Sequence, residues 1–278
     1  MPEVMHFDEP SAAGEISELK DAGCADLPLT RIAWAVLDHT LNRRHVTLTT
    51  GAAGTSKTFT AERFTAQHPG VIYVYAGIDA AAPQSLMAKI ARAILKRHRH
   101  PVTRGFPRAW VPELMELEHE VGKSRQNNGF LAHQVRECVD ALVDMLIFDE
   151  VSPVQNNALE SVRALHDETG IGVSLLGNLT FPTRFSGTQA QARFEQFTSR
   201  IDRREDLSTP MAEDYEALFD FHRVRGRRAR DLIRRHAERD GNLRRAAFIV
   251  DQARCETPDG PLDLPQIAAA IDELGLFE

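Results

Sequence analysis

The sequence predicts an α/β protein: a five-stranded parallel sheet sandwiched by helices, followed by a small all-helical lid. Three observations carry this. Short apolar or β-branched runs alternate with stretches of helical periodicity as far as residue 209, the pattern of parallel strands joined by helices. A glycine- and lysine-containing segment, GAAGTSKT from Gly51 to Thr58, separates the first strand of the sheet from the helix after it. Beyond Pro210 only helical patterns follow.

Taken in order, Thr30 is expected to cap a helix running to Leu41, with Ile32, Val36, Leu37 and Leu41 on its inner side. Val46 and Leu48 alternate with Thr47 and Thr49 as a first strand, and a helix is under way by Ala61 to Phe64. His68-Pro69-Gly70 stops that helix, and Val71 to Tyr75 forms the second strand. Leu86, Met87, Ile90, Ile94 and Leu95 give a helix over Gln84 to Lys96 its apolar face. Gln126-Asn127-Asn128-Gly129 is a turn signal, and Leu131, Val135, Cys138 and Leu142 mark the next helix. Met145-Leu146-Ile147-Phe148 reads as a central strand buried on both faces. Ser152, Pro153 and Gln155 resemble a cap, a first-turn proline and a capping-box partner, so a helix is expected from Pro153 to Glu168, ended by Gly170. Val173 to Asn178 is the fourth strand, and Leu207 with its neighbours a short fifth. The remaining helices are expected over Met211–His222, Arg227–Arg239, Leu243–Cys255 and Pro265–Leu274.

Composition is that of a soluble globular protein, with 42% hydrophobic and 26% charged residues in 278. Three dispersed cysteines, Cys24, Cys138 and Cys255, form no C-x-x-C pair and point to a reducing, cytoplasmic setting without disulfides or structural zinc. The longest apolar run is far too short to span a bilayer, so no membrane role is expected. Residues Met1 to Asp26 carry seven carboxylates against Lys20 alone, an acidic arm that reads as a solvated tail.

The segment GAAGTSKT fits the pattern G-x-x-x-x-G-K-[ST], in which backbone N–H groups at a helix N-terminus surround phosphate oxygens. Gly51, Ala52, Ala53, Gly54, Thr55, Ser56, Lys57 and Thr58 form this candidate phosphate loop. Ser56 stands where the pattern has glycine, and its side chain either crowds a phosphate or adds a hydroxyl to it. Hydrolysis also needs a metal, an oriented water and positive groups near the γ-phosphate. Thr58 and Asp149 suit Mg2+, directly or through water, and Glu150 suits a general base. The alternative is that the two carboxylates only cap the following helix. Asn178, at the end of the fourth strand, either orients water or forms a turn. Ligands gather at the carboxyl ends of such strands, which favours the first role.

GAAGTSKT, LIFDE, LLGN, FTSRI and GNLRR, in this order, resemble the AAA+ ATPases. LESVRALHDETGIGVSLLGN followed by FEQFTSRI is similar, more narrowly, to the transposition helper ATPases of Mu-like phages. The likeness runs from Thr30 to Val250. It implies a P-loop NTPase that hydrolyses ATP with Mg2+, with Arg200 as an arginine finger acting on the adjacent subunit. Arg244, or less strongly Arg245, would be a second sensor reaching the phosphate from the lid. It divides the chain into an acidic arm (1–28), an AAA+ domain (29–209) and a helical lid (210–278). Two departures stand out: Ser56 for glycine, and little room before Thr30 for the N-terminal DNA-binding domain that the phage family carries.

The formal charge of −7 hides a basic segment, Arg223 to Arg245, with ten arginines against three carboxylates. Arg223, Arg225, Arg227 and Arg228, with Lys96, Arg97, Arg99 and Arg104 from an earlier basic stretch, are candidates for tracking a duplex backbone. The bland alternatives are a subunit contact for the first group and a solvated helix end for the second. The expected activity is an ATP-dependent, largely sequence-independent binder of double-stranded DNA. It would form a homo-oligomeric ring or helical filament and deliver target DNA to a transposase. The rivals are a helicase-loading or secretion-type AAA+ ATPase and a non-hydrolysing ATP-switched scaffold.

Overall fold

The computed structural model describes residues 25–99, 128–186, 194–207, 209–239 and 241–276, with isolated positions at 114, 117, 119 and 121. The acidic arm before Ala25 and Arg104 lie outside the described residues, as does the side chain of Arg99. Two compact units result, one of residues 36–209 and one joining residues up to Ala35 with Pro210 onward.

In the first unit, β1 (Val46–Gly51), β2 (Val71–Tyr75), β3 (Met145–Asp149), β4 (Gly172–Gly177) and β5 (Ile201–Leu207) form one sheet in the order β2-β3-β4-β1-β5, every pairing parallel. The three central strands, β3, β4 and β1, are buried along their whole length. This is why β3 runs apolar up to Asp149, while β1 keeps its alternation but buries Thr47, Thr49 and Thr50 as well. β5 alternates instead, with Arg204 and Asp206 exposed, because among the described residues it has β1 on one side and no strand on the other. Charged side chains on such an edge discourage further strand pairing. It is longer than the short strand expected around Leu207 and begins directly after Arg200.

The connecting helices are α1 (Pro28–Arg43), α2 (Lys57–Gln67), α3 (Pro83–Arg99), α4 (Asn128–Leu142) and α5 (Asn156–Thr169). They close the core with Phe64, Ile90, Val135, Leu159 and Val162, all nearly inaccessible. Three expectations need correction. Helix α1 starts at Pro28, so Thr30 lies inside it, where its Oγ1 accepts the Leu27 N–H at 2.9 Å. Its inner face is Leu29, Ala33, Trp34, Val36 and Leu37, while Ile32 is 38% exposed. Helix α5 starts at Asn156, because Ser152 and Pro153 form a turn whose hydroxyl accepts the Asn178 N–H at 3.1 Å. Asn128 and Gly129, read as a turn, open α4.

In the second unit, α6 (Ala212–Phe221), α7 (Arg227–Arg239), α8 (Asn242–Glu256) and α9 (Leu264–Glu273) pack around Tyr215, Phe219, Ile233, Ile249 and Ile267. The first turns of α1 belong here. Buried Asp214 accepts the Leu29 N–H at 2.9 Å through Oδ1 and the Met211 N–H at 2.9 Å through Oδ2. One carboxylate thereby satisfies donors at the starts of two helices, which have no partner within their own helix.

Candidate functional site

Strand β1 delivers the loop Ala52–Ser56 to the N-terminus of α2. Gly51 is there for space: a Cβ would lie 2.5 Å from the Leu207 carbonyl oxygen and 2.9 Å from Thr55 Oγ1. Gly54 and Ser56 both have positive φ, 78° and 64°, so the position that the pattern reserves for glycine is left-handed in this backbone. Ser56 therefore carries strain. A left-handed L-residue costs about 1–2 kcal/mol, against about 0.5–1 kcal/mol of extra unfolded-state entropy for glycine. Ser56→Gly is accordingly expected to stabilise the protein, raising Tm by roughly 1–4 °C in a thermal melt. A lower Tm would show that the hydroxyl makes an interaction worth more than the strain.

Lys57 opens α2 and turns its ammonium back onto the loop. Nζ donates to the carbonyls of Gly51 (2.9 Å) and Ala52 (2.8 Å) and to Thr55 Oγ1 (3.1 Å). Next to it, Thr58 Oγ1 donates to Asp149 Oδ2 at 2.6 Å, tying the end of β3 to the loop that follows β1. Asp149 is 2% exposed and takes two further donors, Tyr73 Oη on Oδ2 at 2.8 Å and the Glu150 N–H on Oδ1 at 2.8 Å. Burial, with the carboxylate beside it, pushes the Tyr73 phenol far above its ordinary range and keeps it a donor. Tyr73 lies on β2, which pairs with β3 in register, two residues before the partner of Asp149.

Glu150 is exposed and has φ 56°, a second left-handed residue beside the loop. The chain leaves β3 sharply there, and Val151 N–H returns to the Leu176 carbonyl at 3.1 Å. Asn178 is exposed at the end of β4 and uses its amide oxygen locally, accepting Thr180 N–H (3.1 Å) and Thr180 Oγ1 (2.8 Å). That is the turn geometry the sequence also allows. Arg184, unnoticed in the sequence, donates to the carbonyls of Ser152 (3.2 Å) and Val154 (2.7 Å) and to Asn156 Oδ1 (2.5 Å), fixing the segment after Glu150.

Thus Lys57, Thr58, Asp149, Glu150 and Asn178 gather where the carboxyl ends of β1, β3 and β4 meet. Arg200 is placed otherwise: exposed, with Nε 2.8 Å from Asp167 Oδ1 and Nη2 3.3 Å from Oδ2, Asp167 lying on α5. The Arg200 guanidinium, joined by Arg163, holds the Asp167 carboxyl below the usual carboxylate range. Arg244, in the helical unit, is exposed in the first turn of α8.

The basic candidates divide. Arg97 donates to the carbonyls of Thr65 (2.9 Å) and His68 (3.1 Å), closing the end of α2, whereas Lys96 is exposed. Arg230 bonds Glu216 and Asp220 at 2.6 Å each, and Arg234 bonds Glu216, so these two tie α7 to α6. Arg223 and Arg225 are exposed on the turn between α6 and α7, and Arg227 and Arg228 are exposed in the first turn of α7.

A strand, a glycine loop closed by lysine and threonine, and a buried aspartate ending the next strand but one define a P-loop NTPase of the ATPase type. The chain belongs to the AAA domain family, which matches residues 40–185. It is similar to the ATP-dependent target DNA activator B of Escherichia phage Mu, 27% identical over 133 residues, covering 47% of this chain and 43% of the phage protein. The protein of the same name from Escherichia phage D108 is 26% identical over the same length. The match spans less than half the length of either relative. The fold is similar to the Walker-type ATPase of Pyrococcus abyssi, with a TM-score of 0.56 at 12% identity over 87% of this chain and 71% of that one.

Proposed function

We propose that this chain binds and hydrolyses ATP, assembles through it on double-stranded DNA, and presents target DNA to a transposase. The observation that carries the reading is the Thr58–Asp149 contact at 2.6 Å beside a loop-bound Lys57, in a chain whose relatives are named ATP-dependent target DNA activators. The donor set fits a magnesium nucleotide: a hydroxyl and a carboxylate oxygen side by side are hard ligands, and an ammonium next to them suits phosphate. Thr58 and Asp149 would hold Mg2+, with the loop N–H groups and Lys57 around the phosphates. Bound there, the ion would offset charge building on the transferred phosphoryl group.

The chain's own residues do the rest. Glu150 takes the proton of the attacking water, and Asn178 orients that water from the end of β4. Arg200 reaches the site of a neighbouring copy and Arg244 acts as a sensor, which makes assembly, as a ring or helical filament, respond to nucleotide. Tyr73 acts through Asp149 by fixing its rotamer. Tyr73→Phe is expected to raise the Mg2+ concentration for half-maximal turnover by roughly 10-fold, as loss of a ligand's supporting partner does, leaving nucleotide retention without Mg2+ unchanged. An unaltered Mg2+ requirement would remove Tyr73 from the site.

Exposed Arg223, Arg225, Arg227 and Arg228 suit contacts to duplex phosphates. No base-reading motif accompanies them among the described residues, so affinity would be phosphate-dominated. If each arginine neutralises one phosphate, the slope of log K against log salt should become shallower by roughly 3–4 when all four are changed to alanine. Fluorescence anisotropy with a duplex of random sequence and ATP measures this, with electron microscopy reporting assembly. An unchanged slope would exclude this surface, and turnover insensitive to DNA would favour a protein-remodelling ATPase.

A further inference from the structure

At the other end of β1 from the phosphate loop, three side chains from three elements converge. His39 comes from the last turns of α1, His45 from the residue before β1, and Asp202 from the start of β5. Asp202 Oδ2 lies 2.7 Å from His39 Nε2 and 3.1 Å from His45 Nδ1, and the three atoms fall within 4.8 Å of one another. With β1 between them, this cluster and the phosphate loop are about 20 Å apart, the length of a six-residue strand.

The backbone is adapted to this convergence. Val46 pairs with Ile201 but Thr47 pairs with Arg203, so the register slips at Asp202, the residue of β5 left without a partner on β1. A bulge re-aims the side chain it carries. Here the carboxylate is directed at both imidazoles, whose rings are 6.2 Å apart between centroids and inclined by 72°. His39 is half-buried, whereas His45 and Asp202 are exposed, so solvent reaches one side of the cluster.

We propose that His39, His45 and Asp202 form a binding site for a divalent transition-metal ion of the zinc class, independent of the nucleotide site. Two imidazoles and one carboxylate suit Zn2+, whose bonds of about 2.0–2.2 Å place neighbouring ligand atoms about 3.0–3.5 Å apart. The separations of 2.7 and 3.1 Å are close enough for side-chain adjustment alone to admit the ion. Three protein ligands leave a coordination position to water. The ion would join α1 to the edge strand β5 two residues after Arg200. The competing account is a proton-bridged His–Asp–His cluster that needs no metal.

The test uses the untagged full chain stripped of metal with a chelator, then titrated with Zn2+ by calorimetry and with Co2+ by visible absorption. One ion per chain is expected, with a Co2+ spectrum of low coordination number and a rise in Tm on adding Zn2+. His39→Gln, His45→Gln and Asp202→Asn retain hydrogen-bonding capacity, and circular dichroism checks their fold. Each should weaken binding by at least roughly the 10–100-fold that loss of a supporting group alone causes, and should lose the Tm rise. Lys57→Ala should bind Zn2+ as the unaltered chain does. Equal binding by the unaltered chain and all three variants, or no ion retained by the unaltered chain, would overturn the site.

Discussion

Arg200→Ala is expected to lower ATP turnover by about 10³-fold or more and to leave nucleotide binding by the isolated chain intact. Mixing it with Glu150→Gln subunits is expected to restore part of the activity. The reasoning starts from exposure. Arg200 stands at the surface, where its guanidinium grips Asp167 through two contacts, 2.8 and 3.3 Å long. An exposed pair of this kind is worth about 0.2–1 kcal/mol, so a developing phosphoryl charge on an adjacent copy competes for the arginine easily. On this reading Asp167 would be the partner that Arg200 leaves when it engages the adjacent copy. In a mixed assembly, a subunit with an intact Glu150 but no Arg200 receives the arginine of a neighbour that lacks the base. Phosphate release measured across mixing ratios should pass through a maximum. Additive behaviour with no rescue at any ratio would place Arg200 outside a shared site. Loss of nucleotide binding by Arg200→Ala alone would instead make its role structural.

The parts of the fold legible in the sequence are those where one element's burial shows in its own residues. β3 is apolar up to Asp149 because it lies between β2 and β4, and α7 keeps Ala229, Ile233 and Ala237 inward at helical spacing. β5 is longer than its sequence suggests because an edge strand needs no apolar alternation, and IDRREDL shows charges instead. The start of α5 departs from its sequence pattern for another reason. Ser152, Pro153 and Gln155 satisfy the local pattern of a cap, but the serine hydroxyl is taken by the Asn178 backbone across the sheet. No local pattern encodes that competitor.

The same distinction runs through the candidate site. Lys57, Thr58 and Asp149 are visible because the loop and the buried strand are local signals. Tyr73 became visible only once β2 was set beside β3 in register, although a tyrosine in the aliphatic run VIYVY is itself a cue, since a buried phenol needs an acceptor. Asp167 and Arg184 left no such cue, because each is defined by one partner on another element. The arginine-rich segment shows the converse. Ten arginines read as one basic surface, yet Arg230 and Arg234 are held by Glu216 and Asp220 inside the helical unit.

Lys57→Ala is expected to reduce ATP retention by at least roughly 10-fold and to bring phosphate release to background, with the fold preserved. The ammonium now satisfies two carbonyls and one hydroxyl of its own loop, at 2.8–3.1 Å. Of these acceptors Ala52 is partly exposed and Gly51 and Thr55 are buried, but Thr55 Oγ1 keeps its own bond to the Ala52 carbonyl at 2.9 Å, so losing the lysine should cost only about 1–3 kcal/mol of stability. A triphosphate has no such substitute. Hydrogen bonds to charged groups are worth about 1.5–3 kcal/mol, which corresponds to roughly 10–150-fold in affinity, before any further loss in the reaction itself. Asp149→Asn separates binding from folding in the opposite way. Its carboxylate accepts Thr58, Tyr73 and the Glu150 backbone at 2.6–2.8 Å, and an amide nitrogen on either side would face a donor. That substitution should therefore lower Tm markedly as well as turnover, whereas Lys57→Ala should abolish turnover with the smaller loss of Tm. Filter binding with labelled ATP, phosphate release and thermal melts on the two variants distinguish the cases. Wild-type phosphate release by Lys57→Ala would mean that this loop does not hold the nucleotide, and the assignment of Thr58 and Asp149 to the metal would fall with it.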